Sequence, residues 1–270
     1  IRRGRGSDKA PTPVTARALE LGLDVIEVED LKDPKFHEAL VEQQADLFVV
    51  VAFRVLPKNI LQIPNIGSIN LHASLLPKYR GAAAIHWAVI NGVQQTGCTI
   101  FFLDEKVDTG NILMQGSTNI DPNETTGDVY NRLMELGSQK LLDAINLIEE
   151  GKYTLDEQND AEATPAPKLF NDNTRLDFSE TVEEVHNKIR GLNPFPIAWT
   201  TWNDQKVKVF SSEKSYNTSQ KPGKIVVKDD KLFVGCKDGE IEIKLLQLPG
   251  KKKMSATEFI NGYAPKGIFK

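Results

Sequence analysis

Asn70 and His72 stand two residues apart in the run Gly67-Ser68-Ile69-Asn70-Leu71-His72. Side chains alternate along a strand, so these two emerge on one face while Ile69 and Leu71 take the other. Polar residues at the carboxyl end of a strand occupy the edge where open α/β sheets bind ligands. The following Ser74-Leu75-Leu76-Pro77 ends in a rigid proline turn, able to offer backbone groups to a planar heterocycle. Further on, Phe101-Phe102-Leu103-Asp104-Glu105-Lys106-Val107-Asp108-Thr109-Gly110-Asn111-Ile112 reads as an apolar strand, an acidic loop and another strand. A carboxylate in that loop could reach the histidine and fix its orientation and charge. Singly, each residue has an ordinary role: Asn70 in a turn, His72 half-buried in a strand, Asp108 capping a turn closed by Gly110. Together on one sheet edge they point to a site.

The elements around these residues alternate. Residues 14–21 have helix-forming composition and stop at Gly22. Val25-Ile26-Glu27-Val28 reads as a short strand, and 34–44 as a helix with Asp33 as N-cap and Pro34 in its first turn. Leu47-Phe48-Val49-Val50-Val51 reads as a strand covered on both faces, the habit of parallel sheets. Strand 66–71, a helix around 85–90, strand 99–103 and a long helix from about 126 to 150 complete the pattern of an open, mostly parallel, Rossmann-like α/β sheet. Residues 156–175 are polar, with prolines at 165 and 167, and have the composition of a linker. Beyond it come one helix (about 181–192) and short strands at 205–210, 223–228, 231–236 and 240–247, which suggest a small β-barrel of the OB type. The expected organisation is a catalytic domain over 1–155, a linker over 156–175 and an OB-like domain over 176–270.

Composition narrows the class. Hydrophobic residues make up 40% and charged residues 26%, ordinary for a globular chain in the cytoplasm, and no stretch resembles a membrane span or a secretory leader. Cys98 and Cys236 lie far apart and read as reduced packing residues. The four histidines, His37, His72, His86 and His186, form no ligand cluster, so no metal is expected. The net charge of −4 is uneven: residues 1–165 carry 15 Lys+Arg against 24 Asp+Glu, residues 166–270 carry 18 against 13. A basic second half attached to an acidic first half suggests a polyanionic partner. The basic opening, Ile1-Arg2-Arg3-Gly4-Arg5-Gly6-Ser7-Asp8-Lys9, is an unusual start for an ordered domain, and a preceding segment is expected.

The run Asn70-Leu71-His72-Ala73-Ser74-Leu75-Leu76-Pro77, with Arg80-Gly81-Ala82, Thr96-Gly97 and Asp108-Thr109-Gly110, resembles the folate-dependent formyltransferases. Gly4-Arg5-Gly6 with Pro11-Thr12-Pro13-Val14 resembles the basic loop of the branch that acts on methionyl-tRNA. Ala166-Pro167-Lys168-Leu169, Ile189-Arg190-Gly191-Leu192-Asn193-Pro194-Phe195-Pro196 and Pro249-Gly250-Lys251-Lys252-Lys253-Met254 match the same branch. That family begins with a strand, a helix and a second strand ahead of the loop, which this sequence does not carry, and Ser7-Asp8 places an acid where the family has lysines.

The resemblance implies formyl transfer from 10-formyltetrahydrofolate, as co-substrate, to the free amino group of methionyl-initiator tRNA, the step that serves translation initiation. It implies catalytic roles for Asn70, His72 and Asp108: an oxyanion hole from the Asn70 amide and protonated His72, with Asp108 supporting that charge and moving the proton. It further implies that Ser74, Leu75, Leu76 and Pro77 hold the folate, and that Arg5, Lys206, Lys208, Lys251, Lys252 and Lys253 hold the tRNA of a monomeric enzyme. Two alternatives stand beside this: a formyltransferase for amino-sugar nucleotides, and a tRNA-binding protein with a dead folate site.

Overall fold

The computed structural model describes residues 2–3, 9–51, 55–216 and 220–270. Helices begin where a side chain can satisfy the free amide groups of a first turn. Thr12 accepts from the Thr15 amide ahead of α1 (Pro13–Glu20), and Asp33 from the Lys35 amide ahead of α2 (Pro34–Glu42). Reciprocal capping boxes open the three later helices: Thr125 with Asp128 for α5 (Thr126–Glu149), Thr181 with Glu184 for α6 (Val182–Gly191), and Ser255 with Glu258 for α7 (Ala256–Tyr263). Two shorter helices, α3 (Lys58–Leu61) and α4 (Ala84–Ile90), lie between strands.

Short strands β1 (Arg2–Arg3) and β2 (Lys9–Ala10) pair with each other. The first large sheet runs β3 (Leu47–Val50), β4 (Gly67–His72), β5 (Gln95–Phe102), β6 (Ile112–Asn119). Pairing is parallel between β3 and β4, as expected, and antiparallel between β4 and β5 and between β5 and β6, so among the described residues the sheet is mixed rather than mostly parallel. The segment 103–111 is too short for the crossover of a dozen or more residues that parallel neighbours need, which forces β6 to run back along β5. Val25-Ile26-Glu27-Val28 joins no ladder among the described residues, and Val49 on β3 is exposed instead of covered.

Helix α5 packs across β5 and β6. Ile69, Ile100, Ala144 and Ile148 form one buried cluster there; Ile85, Ala88, Val89, Val129 and Leu133 form a second beneath α4. Each fully buried isoleucine, valine or leucine of this kind contributes about 1.5–3 kcal/mol over leaving it exposed.

The second half holds β7 (Ala198–Trp202), β8 (Gln205–Ser215), β9 (Ile225–Lys228), β10 (Lys231–Gly235) and β11 (Glu240–Gln247), with β12 (Met254–Ser255) beside β11. All pairings are antiparallel in the order β7-β8-β11-β10-β9. The chain end bridges the two edge strands. Thr201 and Lys270 exchange both backbone hydrogen bonds, while Phe269 donates to the Gly223 carbonyl and Ile225 to that of Gly267. The ring of hydrogen bonds therefore closes around a core of Leu192, Val207, Leu232, Ile241, Phe259 and Phe269, as a small barrel requires. β7 and α7 were not among the expected elements, although Ala198–Trp202 is rich in strand-favouring threonine and tryptophan and Ser255 with Glu258 has capping-box spacing.

Polar composition over 156–175 does not leave this stretch loose. Asp156 pairs with Ile112, Arg80 donates its amide to the Thr164 carbonyl, and the Ala166 amide donates to the Arg80 carbonyl. Helix α4 packs directly on α6, joining the two halves.

Candidate active site

The site begins at the carboxyl end of β4, where strand alternation puts Asn70 and His72 on one buried face. Asn70 Nδ2 donates to the Val50 carbonyl at 3.0 Å, tying it to the end of β3. His72 Nε2 lies 2.9 Å from the Tyr79 carbonyl; a carbonyl only accepts, so Nε2 carries the proton there. That bond turns Nδ1 toward Asp108, whose Oδ2 stands 3.7 Å away. The distance exceeds a hydrogen bond, so the two are coupled by charge, when the ring is protonated, and by orientation.

Asp108 is held in place by groups from two segments, 80–81 and 158–160. Its backbone has a positive φ of 54°, and its Oδ2 accepts the Gly81 amide at 2.8 Å. Gln158, almost fully buried, donates through Nε2 to the carbonyls of Asp108 at 3.0 Å and Gly110 at 2.7 Å. Arg80 donates both Nε and Nη2 to Gln158 Oε1, at 3.1 and 2.7 Å, and pairs with Asp160 at 2.8 Å. Gly110 has no substitute here: a Cβ would sit 1.7 Å from the Phe102 carbonyl oxygen. Nearby, Asp104 accepts the Lys106 amide and the Thr109 hydroxyl, closing the acidic loop on itself.

A cleft of about 580 Å³ opens above these three residues. Val50, Val51, Val55, Leu56, Leu103 and Val107 make part of its wall apolar, while Asn70, His72 and Asp108 contribute polar groups to the same lining. Apolar walls with a few convergent polar groups suit a flat organic ring bearing one reactive polar centre. His86 also lines the cleft and donates Nε2 to the Phe195 carbonyl at 3.0 Å. Burial holds its pKa below the ordinary histidine value, against the opposing effect of that carbonyl. Among the described residues no group of three His, Cys, Asp or Glu is placed to hold a metal ion.

The structure brings Asn70, His72 and Asp108 together and sets the other expected residues elsewhere. Ser74, Leu75, Leu76 and Pro77 do not line the cleft. Several of their polar groups bond within the protein: Ser74 donates its hydroxyl to the Lys78 carbonyl, Thr99 donates to the Ser74 carbonyl, and Leu76 uses its amide on Thr99 and its carbonyl on Gln115. These bonds hold the turn against β5 and β6. Lys206 and Lys208 share the outer face of β8, with Lys206 4.1 Å over the Trp199 ring and bonded to Asn171. Lys206 is held below the usual lysine pKa by burial and by Lys208. Lys251, Lys252 and Lys253 form the exposed turn after β11, and Lys253 rides 4.1 Å over the Phe210 ring. Arg5 lies outside the described residues. Sequence reasoning missed Gln158, because one glutamine among Asp, Glu and Asn shows no period that would mark it as buried.

Residues 2–145 match the formyl transferase family and residues 168–264 match the formyl transferase C-terminal domain. A methionyl-tRNA formyltransferase of Chlorobium luteolum is 44% identical over 269 residues, covering 98% of this chain and 86% of that protein. One from Bacteroides thetaiotaomicron is 41% identical, covering 96% and 84%. Among solved structures, an N-formyltransferase from Helicobacter canadensis, in complex with folinic acid and dTDP-3-aminofucose, aligns with a TM-score of 0.68 at 23% identity, covering 88% of this chain and 85% of that one. HypX from Aquifex aeolicus, in complex with tetrahydrofolic acid, aligns at 0.63 and 20% identity, covering 84% and 42%. With both halves matched in order around the Asn70, His72 and Asp108 site, the chain belongs to the formyl transferase family.

Proposed function

We propose that the chain transfers a formyl group from 10-formyltetrahydrofolate to the amino group of methionyl-initiator tRNA, acting as a monomer in the cytoplasm. The observation that carries this reading is the convergence of Asn70, His72 and Asp108 on one apolar-walled cleft. The folate is a flat heterocycle; Val50, Val51, Leu56 and Leu103 offer it an apolar slot in the cleft, and Ser74, Leu75, Leu76 and Pro77 are its further expected holders. The bound carrier supplies an activated formyl carbon.

The rest is done by side chains of this protein. Asn70 has a second amide hydrogen beyond the one given to Val50, and His72 can present Nδ1–H; both serve as donors to the formyl oxygen as negative charge grows on it. The acceptor amine forms the new N–C bond, the C–N bond to the carrier breaks, and one proton passes from the amine to the departing nitrogen. Asp108, the base nearest His72, takes that proton and returns it. Residues 1–155 supply catalysis, 156–175 the connection, and 176–270 the basic face for tRNA, with Lys206, Lys208, Lys251, Lys252 and Lys253 toward phosphate and Arg5 toward the acceptor end.

The high identity to methionyl-tRNA formyltransferases along nearly the whole chain supports this acceptor, whereas the likeness to sugar formyltransferases extends to the fold alone. Offering methionyl-tRNA and an amino-sugar nucleotide in parallel, with labelled formyl donor, tests the choice. Label should enter the tRNA; label entering only the sugar nucleotide would overturn it.

A further inference from the structure

Phe195 is 76% exposed, although burying a phenylalanine is worth about 1.5–3 kcal/mol. Its position is nonetheless fixed. Pro194 and Pro196 flank it with set φ angles. Asn193 donates Nδ2 to the Phe210 carbonyl at 2.7 Å, the Gly127 amide donates to the Asn193 carbonyl at 3.1 Å, and His86 holds the Phe195 carbonyl at 3.0 Å. The loop is thereby tied to β8, α5 and α4 at once. Since His86 lines the cleft with Asn70 and His72, the Phe195 carbonyl it bonds is held at the cleft's edge. Tyr130, 52% exposed, lines the same cleft. It follows Gly127 by one helical turn on α5, and Gly127 packs so closely on Pro194 that a Cβ would come within 2.7 Å of its Cδ. On the other side of the loop, Phe210 lies beneath Lys253. The basic turn, the aromatic rim and the catalytic cleft are therefore consecutive.

The chemistry of an aminoacyl-tRNA restricts what can occupy that rim. The aminoacyl group is an ester of the terminal ribose, so the reacting amine and the terminal base hang from the same sugar. With the amine at His72, the base must lie at the cleft mouth, and the phosphates behind it must run toward the lysines. We propose that Phe195, with Tyr130 on the cleft wall, is the platform on which the terminal nucleobase of the charged tRNA stacks while its aminoacyl group reaches Asn70 and His72. This rests on the function proposed above.

The test uses the full chain with methionyl-tRNA and two small acceptors, 2′(3′)-O-methionyl-adenosine and methionine methyl ester, which lacks the base. Wild type should prefer the adenosine ester. Phe195→Ala should reduce the kcat/KM ratio of adenosine ester to methyl ester by roughly five- to hundredfold, the span expected when one base–aromatic stack is removed. With tRNA the loss should appear in KM and not in kcat, because the ring does not touch the reacting atoms. Phe195→Trp should restore the ratio. An unchanged ratio in Phe195→Ala would overturn the platform, as would Phe195→Leu restoring it as well as Trp. Wild type that formylates no methionyl acceptor at all would instead defeat the function on which the platform rests.

Discussion

At the scale of single residues, His72 and Asp108 are separated by 3.7 Å, so the carboxylate acts on the ring by its charge. Asp108→Asn keeps the size and the Gly81 hydrogen bond but removes that charge and the base. Transfer should fall by about 10²- to 10⁴-fold, the usual contribution of a positioned acid–base group. A normal kcat would make Asp108 a turn residue. Gln158→Ala tests positioning. It strips the donor from the buried carbonyls of Asp108 and Gly110 and should cost about 1–3 kcal/mol of stability in denaturant titration, with a lower kcat as the loop relaxes. Wild-type stability and turnover would show that the loop holds itself. Asn70 and His72 were legible in the sequence because a period of two fixes which residues share a strand face. Gln158 and the Gly81–Asp108 bond were not, because they join segments far apart in the chain and leave no local pattern.

At the scale of elements, α1, α2, α5 and α6 were legible to within a residue or two: α1 from its composition and the stop at Gly22, and α2 from Asp33 and Pro34, which solve the hydrogen bonding of a helix start locally. Strand direction was less legible. Alternating strands and helices suggested parallel pairing, while the short return at 103–111 decided the antiparallel β5–β6 ladder. Packing of α6 on β8 gives a further expectation. Its buried His186 bonds Ser212 at 3.0 Å and has its pKa lowered to about 4, chiefly by burial and then by Lys214 and Arg190. The unfolded chain takes up this proton near the ordinary value of 6.5 and the folded chain does not until about 4. Unfolding therefore binds protons in that window, and stability falls as pH drops through it, at up to about 1.4 kcal/mol per pH unit. Denaturant midpoints at pH 7 and 4.5 should differ less in His186→Gln than in wild type; an equal difference would assign the acid sensitivity to other groups.

At the scale of the whole molecule, an acidic first half carries the cleft and a basic second half presents Lys206, Lys208 and the Lys251–Lys253 turn. Neutralising Lys251, Lys252 and Lys253 together should weaken tRNA affinity and make its salt dependence shallower, by roughly 0.7–0.9 log units for each phosphate that is no longer neutralised. An unaltered slope would make the triplet a solvated turn. Formylation of methionyl-tRNA at the Asn70, His72 and Asp108 site is tested by the rate at which labelled formyl from 10-formyltetrahydrofolate enters methionyl-tRNA, for wild type and His72→Ala side by side. Wild type should transfer the label, and His72→Ala should do so at least about a hundredfold more slowly through loss of one donor to the developing oxyanion. No transfer by wild type, or equal transfer by both, would contradict the account.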